Sequence, residues 1–561
     1  MKRLFNKFTF FSALAILILS TLPALAALTP SNEHVLKPGE PVNLGDFPES
    51  RFLTLSGDIL LRGETVALSR RFLRTGTETT LTPLPDDRVT FVRRGTVEKM
   101  IDGSFVQMHE RDLVYEEADT ETALTADGNT AEILSFRWIG DTVGTSPPMI
   151  PAGRIINRDY LQWCFPAGER EMVKVVQGRR GQMCFVRLDP GKTIPDETQP
   201  GETLFLVLRG GMTVTLDGRS LNVAANDVLL IGGGMSASFK PETAGCDYFM
   251  ITTPAREKYT AALRRRIDSF HAVFPTFVQP EIAVDGRFGS PRLSFIEGPN
   301  WINGRFYFTD MSVGGMYRIE PGGVVTTLNL DILPCGMALM PGGTIAVCDI
   351  ENNTIVEMTP EGLYARTLVS TFNGKPLPGT PNDVICDSRG GLYFTVMSFA
   401  RPPGSNIVMY RSPDGSLIEA TEPGDFGIPN GCALSPDGTI LYVNDDTKQY
   451  VRACDVLPDG TLGERRPFAR LISDETVLGM PDVKTFADGM TVDADGNLYV
   501  CASGFVQVFD SEGSYRGGFV LPKPAFHLAF GGDDGSTLYV SCLNVIYTIG
   551  TKVKGLEPAW K

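Results

Sequence analysis

Between residues 305 and 542 the chain returns six times to one short run in which large apolar side chains alternate with smaller or polar ones. The runs are RFYFTD (305–310), TIAVCD (344–349), GLYFTV (391–396), ILYVND (440–445), NLYVCA (497–502) and TLYVSC (537–542). Glycine turns such as SPDG, DADG and MPGG precede them, and a second alternating run such as MYRIEPGG or VMYRSPDG follows. A period of two predicts strands, and the glycine turns predict hairpins. Successive runs start 39 to 57 residues apart. All-β units repeating at that length predict a propeller, here of six blades over residues 285–554.

A second, longer repeat precedes these runs. Gly210 and Gly218 lie 19 and 27 residues after Gly191, and Gly95 and Gly103 keep the same intervals from Gly76, 115 residues earlier. Asp227 falls on Asp112 at that offset. Apolar alternation between these turns predicts two equivalent antiparallel barrels, over 27–160 and 161–254. The stretch AREKYTAALRRRIDSF reads as a helix inside a linker, 255–284, with Arg264, Arg265 and Arg266 on a solvated or interdomain face.

The first 26 residues have the organisation of a secretory signal: Lys2, Arg3 and Lys7, an apolar run over 8–22, then Ala24-Leu25-Ala26. The run is shorter than the roughly 20 residues a spanning helix needs. Cleavage and a periplasmic or secreted location are therefore expected, with no membrane partner.

Composition narrows the chemistry. The net charge of −15 would become −18 on loss of the three basic signal residues. That argues against nucleic acid or an anionic membrane surface as partner and suits a bound cation. The ten cysteines form no CxxC pair and sit mostly in strand-like runs, so buried free thiols are expected. Only His34, His109, His271 and His527 are available, which excludes a histidine-rich zinc or iron site.

The barrel region resembles the cupin superfamily, in which a His-x-His pair, a glutamate and a later histidine hold a metal. In the second copy those positions are Glu197, Gln199, Glu202 and Ala237. In the first they are Thr82, Leu84, Asp87 and Thr122. The turns are kept and the histidines are gone, so the expectation is a bicupin scaffold without its metal. The resemblance also implies homodimerisation through this region, cupins often pairing by strand exchange; covering the propeller mouth is the other role open to it.

In the six later units one position recurs 10 to 12 residues before the centre of the strand run. It holds Glu297, Cys335, Asn382, Asn430, Asp488 and His527 in turn. Equivalent positions in a propeller form a ring about the axis, near one mouth of the channel. Each residue alone reads as a turn residue in PND, PNG or ADG. Together, two carboxylates and two amide oxygens describe a hard-cation site with open positions. Calcium is the first expectation, with magnesium, manganese or zinc as alternatives. His527 is a candidate proton donor or substrate-orienting group. Cys335 is a candidate substrate contact, and a nucleophile only if activated.

The stretches EGPNW, PNDVICD, PNGCALSPDG and ADGMTVDADGNLYV resemble the senescence-marker-protein, gluconolactonase and luciferin-regenerating-enzyme family over about 285–550, roughly half the chain. The resemblance implies a six-bladed propeller with one divalent cation on its axis, and hydrolysis of a small-molecule lactone. Glu297, Asn430 and Asp488 match the family's ligands, Asp488 also its base, and Asn382 the asparagine near metal and substrate. Sugar-lactone members often carry an arginine shortly before that asparagine; PLPGTPND has none, which points away from an aldonolactone. Two rivals remain at this point. One is a non-catalytic binding propeller with a structural calcium. The other is a metal-free enzyme of the strictosidine-synthase type, which the four oxygen donors disfavour.

Overall fold

The computed structural model describes residues 33–47, 59–74, 78–81, 86–101, 103–120, 122–128, 130–139, 149, 152–153, 155–158, 161, 163–165, 172–275, 278, 280–287, 291–397, 406–445, 449–472 and 485–557. The signal-like segment, Thr82 and Leu84 lie outside them. Among the described residues the chain is all-β apart from the helix Glu257–His271 and a short 3-10 turn, Leu44–Asp46. No helix among the described residues is long and apolar enough to cross a membrane. Two compact units are present: residues 1–158 with 165–260, and residues 159–164 with 261–561.

In the first unit the 115-residue repeat is a repeat of strands and of their register. Asp87–Arg94 pairs with Ala131–Trp138, aligning Phe91 with Leu134. Thr203–Leu216 pairs with Ser236–Thr252, aligning Leu206 with Phe249 at the same offset. Among the described residues the second copy joins its strands into one eight-stranded sheet, whereas the first divides into a seven-stranded and a four-stranded sheet. Val42–Asn43, expected with the first barrel, pairs instead with Asp227–Ile231 of the second copy's sheet. Asn43 fixes that register by donating to Asp227 at 2.6 Å.

The two copies differ at their centres. Val186, Phe205, Val214 and Ile231 are buried in the second copy. The positions 115 residues earlier hold Arg71, Thr90, Lys99 and Glu116. Glu116 accepts from Arg88 at 3.0 and 3.2 Å and from Thr90 at 2.8 Å, and pairs with Lys99 at 2.8 Å. Lys99 is 1% exposed, so this ionic group is sealed inside the fold.

Among the described residues the second unit holds six four-stranded antiparallel sheets and one two-stranded ribbon. Five sheets are consecutive meanders; the first runs Ile296–Ile302, Arg305–Asp310, Met316–Ile319, Val325–Asn329. The sixth takes three strands from the chain's end and its outer strand, Glu281–Asp285, from the start of the unit. The first strand of each sheet touches that of the next, and the sixth touches the first, so the ring closes. A buried apolar cluster fills each gap between neighbouring sheets. Turn glycines such as Gly438 and Gly496 sit at φ +69° and +81°, where a side chain would be strained.

Within the second unit, Phe270 and Phe274 near the helix end pack against the last two sheets, Phe274 lying 5.2 Å from the Phe519 ring. Arg264 and Arg265 are exposed as expected. Arg266 is not wholly solvated: its guanidinium lies over the Phe270 ring at 4.8 Å and burial lowers its pKa. All ten cysteines are buried, and none is held in a disulfide.

Candidate functional site

A defect repeated in the strands next to the ring's centre builds the site. In four first strands the ladder slips: between Glu297 and Asn300, Pro334 and Met337, Pro381 and Val384, and Pro429 and Cys432. A bulge of this kind re-aims a side chain and interrupts pairing. Glu297 opens the first, and Cys335, Asn382 and Asn430 lie within the others. Proline precedes the last three, where a missing N–H costs no ladder bond. Asp488 stands two residues ahead of the strand Met490–Val492, and His527 begins the strand His527–Gly531.

The glycine after four of these residues has a packing role. A Cβ on Gly298 would lie 2.4 Å from the Cys335 carbonyl oxygen, and one on Gly336 2.7 Å from that of Asn382. On Gly431 it would lie 2.3 Å from the Asp488 carbonyl oxygen, and on Gly489 2.0 Å from His527 Cδ2. Each glycine therefore admits the corresponding residue of the next sheet. In PNG and ADG the glycine's work is close approach between sheets.

Glu297 and His527, 230 residues apart, meet: Glu297 Oε2 lies 2.8 Å from His527 Nδ1. They are 3% and 7% exposed. Burial alone would lower the His527 pKa, but Asp383 and the bonded Glu297 carboxylate raise it above its ordinary value. Asn382 Nδ2 lies 3.6 Å from Cys335 Sγ. Burial pushes the Cys335 thiol well up, and the charges of Glu297, Asp488 and Asp383 add to the shift. Cys335 is thus a thiol held against ionisation. Asp488 also bears on Cys501, together with Glu297. Asn430 is buried, and its Oδ1 has no hydrogen-bond partner.

Sequence reasoning missed Asp383. It is buried, its Oδ2 accepts the Cys432 N–H at 2.9 Å, and burial raises its pKa while His527 opposes the shift. The available signal was its place, the slot that glycine fills after Glu297, Cys335, Asn430 and Asp488.

These residues offer two carboxylates and two amides around one region, with an imidazole held by one carboxylate and a second buried carboxylate close by. Among the described residues no group of three or more His, Cys, Asp or Glu side chains forms a metal-binding cluster. Half of the oxygen donors here are amides, which lie outside that set.

The cupin-type positions have other employment. Glu202 accepts from the backbone N–H groups of Glu64 and Thr65 at 3.0 and 2.5 Å. Glu197 pairs with Lys258 at 3.0 Å, Gln199 donates to the Glu197 carbonyl, and Ala237 is fully buried. Asp87 accepts from the Tyr115 hydroxyl at 3.0 Å. Thr122 lies on the strand Thr122–Ala126. A cavity of about 410 Å³ lies elsewhere in the first unit, where Arg70 and Arg93 on its wall are engaged by Glu132.

Residues 295–544 match the family model described as SMP-30/Gluconolactonase/LRE-like region. A gluconolactonase from Zymomonas mobilis is 28% identical over 47% of this chain and 80% of its own length. Lactonase drp35 from Staphylococcus epidermidis is 25% identical over 43% of this chain and 72% of its own length. Among solved structures, a cupin 2 conserved barrel domain protein from Leptotrichia buccalis aligns with a TM-score of 0.31 and 15% identity, over 39% of this chain and 98% of that one.

Proposed function

Since residues 295–544 form an SMP-30/gluconolactonase/LRE-like region, we propose that the protein is a divalent-cation-dependent hydrolase that opens a lactone. In this reading the six sheets are the blades of a propeller and the first unit is a two-copy cupin scaffold. With its signal-like start, the protein is read here as periplasmic or secreted.

The observation that carries the reading is an Asn430 Oδ1 buried without a hydrogen-bond partner on the ring of first strands that also carries Glu297 and Asn382. A buried oxygen left unpaired costs about 1–3 kcal/mol, and a cation ligated by it offsets that cost. Glu297, Asn382, Asn430 and Asp488 would hold the ion; all-oxygen donors favour calcium. When bound, it supplies Lewis acidity toward the lactone carbonyl. Asp488 takes a proton from the attacking water. His527, tied through Nδ1 to Glu297, returns a proton to the leaving alkoxide through its other ring nitrogen. Water adds to the carbonyl carbon, the ring C–O bond breaks, and a hydroxy acid leaves. Asn382 and Cys335 contact the substrate in this scheme.

Calcium is expected to stabilise the folded protein by about 2.7 kcal/mol at a hundredfold excess over Kd. A thermal melt with added calcium and then with EDTA reads this as an upward and a reversed shift. Coincident melts argue against the cation site.

Gly431→Ala is expected to lower lactone turnover by about a hundredfold, since the new methyl must push the Asp488 backbone aside. Steady-state kinetics check it, and unchanged turnover would mean that Asp488 need not be held where it stands.

A further inference from the structure

The second strands of the six sheets carry one more equivalent position: Thr309, Cys348, Thr395, Asn444, Cys501 and Ser541. All six are buried. Three donate across the gap to the backbone carbonyl of the site residue on the next sheet. Thr309 Oγ1 bonds the Cys335 carbonyl at 2.7 Å, and Thr395 Oγ1 bonds that of Asn430 at 2.8 Å. Asn444 Nδ2 bonds the Asp488 carbonyl. Thr395 also accepts the Asp383 N–H at 3.1 Å. At the same position of the sixth sheet the buried Ser541 hydroxyl has no hydrogen-bond partner.

The carbonyls served in this way have lost their ladder. Cys335 and Asn430 lie where the register slips, and Asp488 precedes its strand. A peptide at a bulge is free to tilt, and the tilt moves its side chain. Glu297 is steadied through its own carboxylate by His527 and Gly298. Asn430, whose Oδ1 has no protein partner, gains no such help from its side-chain oxygen.

We propose that Thr395 and Asn444 are positioning residues for the cation: by holding the Asn430 and Asp488 carbonyls they set where those side-chain oxygens stand. The proposal rests on the cation reading above. Outer groups that orient ligands in this way typically account for 10- to 100-fold in metal affinity.

Thr309 is the internal control. Its hydroxyl makes the same kind of bond at the same burial, but to Cys335, which is not among the four oxygen donors. Calcium titrations by isothermal calorimetry on the full chain compare wild type, Thr395→Val, Thr395→Ser and Thr309→Val. Thr395→Val is expected to weaken calcium binding about tenfold or more, Thr395→Ser to stay within about threefold of wild type, and Thr309→Val to match wild type. Equal losses in both valine variants, or none in Thr395→Val, overturn the positioning role while the cation reading stands. A wild-type protein that binds no calcium overturns the reading, and the proposal with it. If Thr395→Val does not fold, Thr395→Ala against Thr309→Ala makes the same comparison, with the same outcomes deciding.

Discussion

Asp488→Ala is expected to cut lactone turnover by about a thousandfold or more and to leave the fold intact. A general base contributes about 10²–10⁴ in rate, and this carboxylate is also assigned to the cation. Asp488 is tied into the fold by backbone bonds. Its N–H donates to the Cys501 carbonyl at 2.8 Å and its carbonyl accepts from Asn444, and both bonds remain in alanine. Asp488→Asn separates the two roles. An amide oxygen still faces the cation but cannot take a proton, so turnover falls while calcium affinity drops by less than in the alanine variant. Full activity in Asp488→Ala would remove the residue from the mechanism.

Glu116→Gln in the first unit is expected to cost about 3–5 kcal/mol, a large share of a domain's stability. The amide keeps the shape but leaves Arg88 and Lys99 buried against a neutral partner. Burial works against the Glu116 charge, yet Lys99 and Arg88 override it and hold the carboxyl at about 2, below its ordinary 4.5. Burial also lowers the Lys99 pKa in spite of Glu116, so the lysine's side of the pair offsets part of the gain. Because the folded pKa of Glu116 is depressed, its contribution is fully present above about pH 4.5 and is lost as pH falls through about 2. Denaturant melts at pH 6 and pH 3 should show wild type losing stability toward acid more steeply than Glu116→Gln. Parallel losses would assign the acid sensitivity to other carboxylates.

The two cases differ in how much the sequence revealed. The alternating runs and their glycine turns announce an all-β chain, and the motifs around Glu297, Asn382, Asn430 and Asp488 announce the SMP-30/gluconolactonase-like region. The repeat at 115 residues was legible because turn glycines keep their intervals when strands keep their lengths. The ionic group around Glu116 was not legible. Arg88, Lys99 and Glu116 lie on strands with unremarkable spacing, and only the pairing brings them together. Asp383 escaped for a related reason. A charge in PND reads as a turn former, and its burial depends on a bulge that no single strand discloses. The work of Glu202 was hidden too, since its partners at residues 64 and 65 come from the other copy.

In the proposed mechanism a cation held by Glu297, Asn382, Asn430 and Asp488 drives lactone opening. The most direct measurement follows acid release from a panel of lactones by the full-length protein as purified, after EDTA, and after calcium is restored. The expected result is turnover of at least one lactone that EDTA abolishes and calcium returns. Undiminished turnover in EDTA, or a calcium-loaded protein that opens no lactone in the panel, would contradict it.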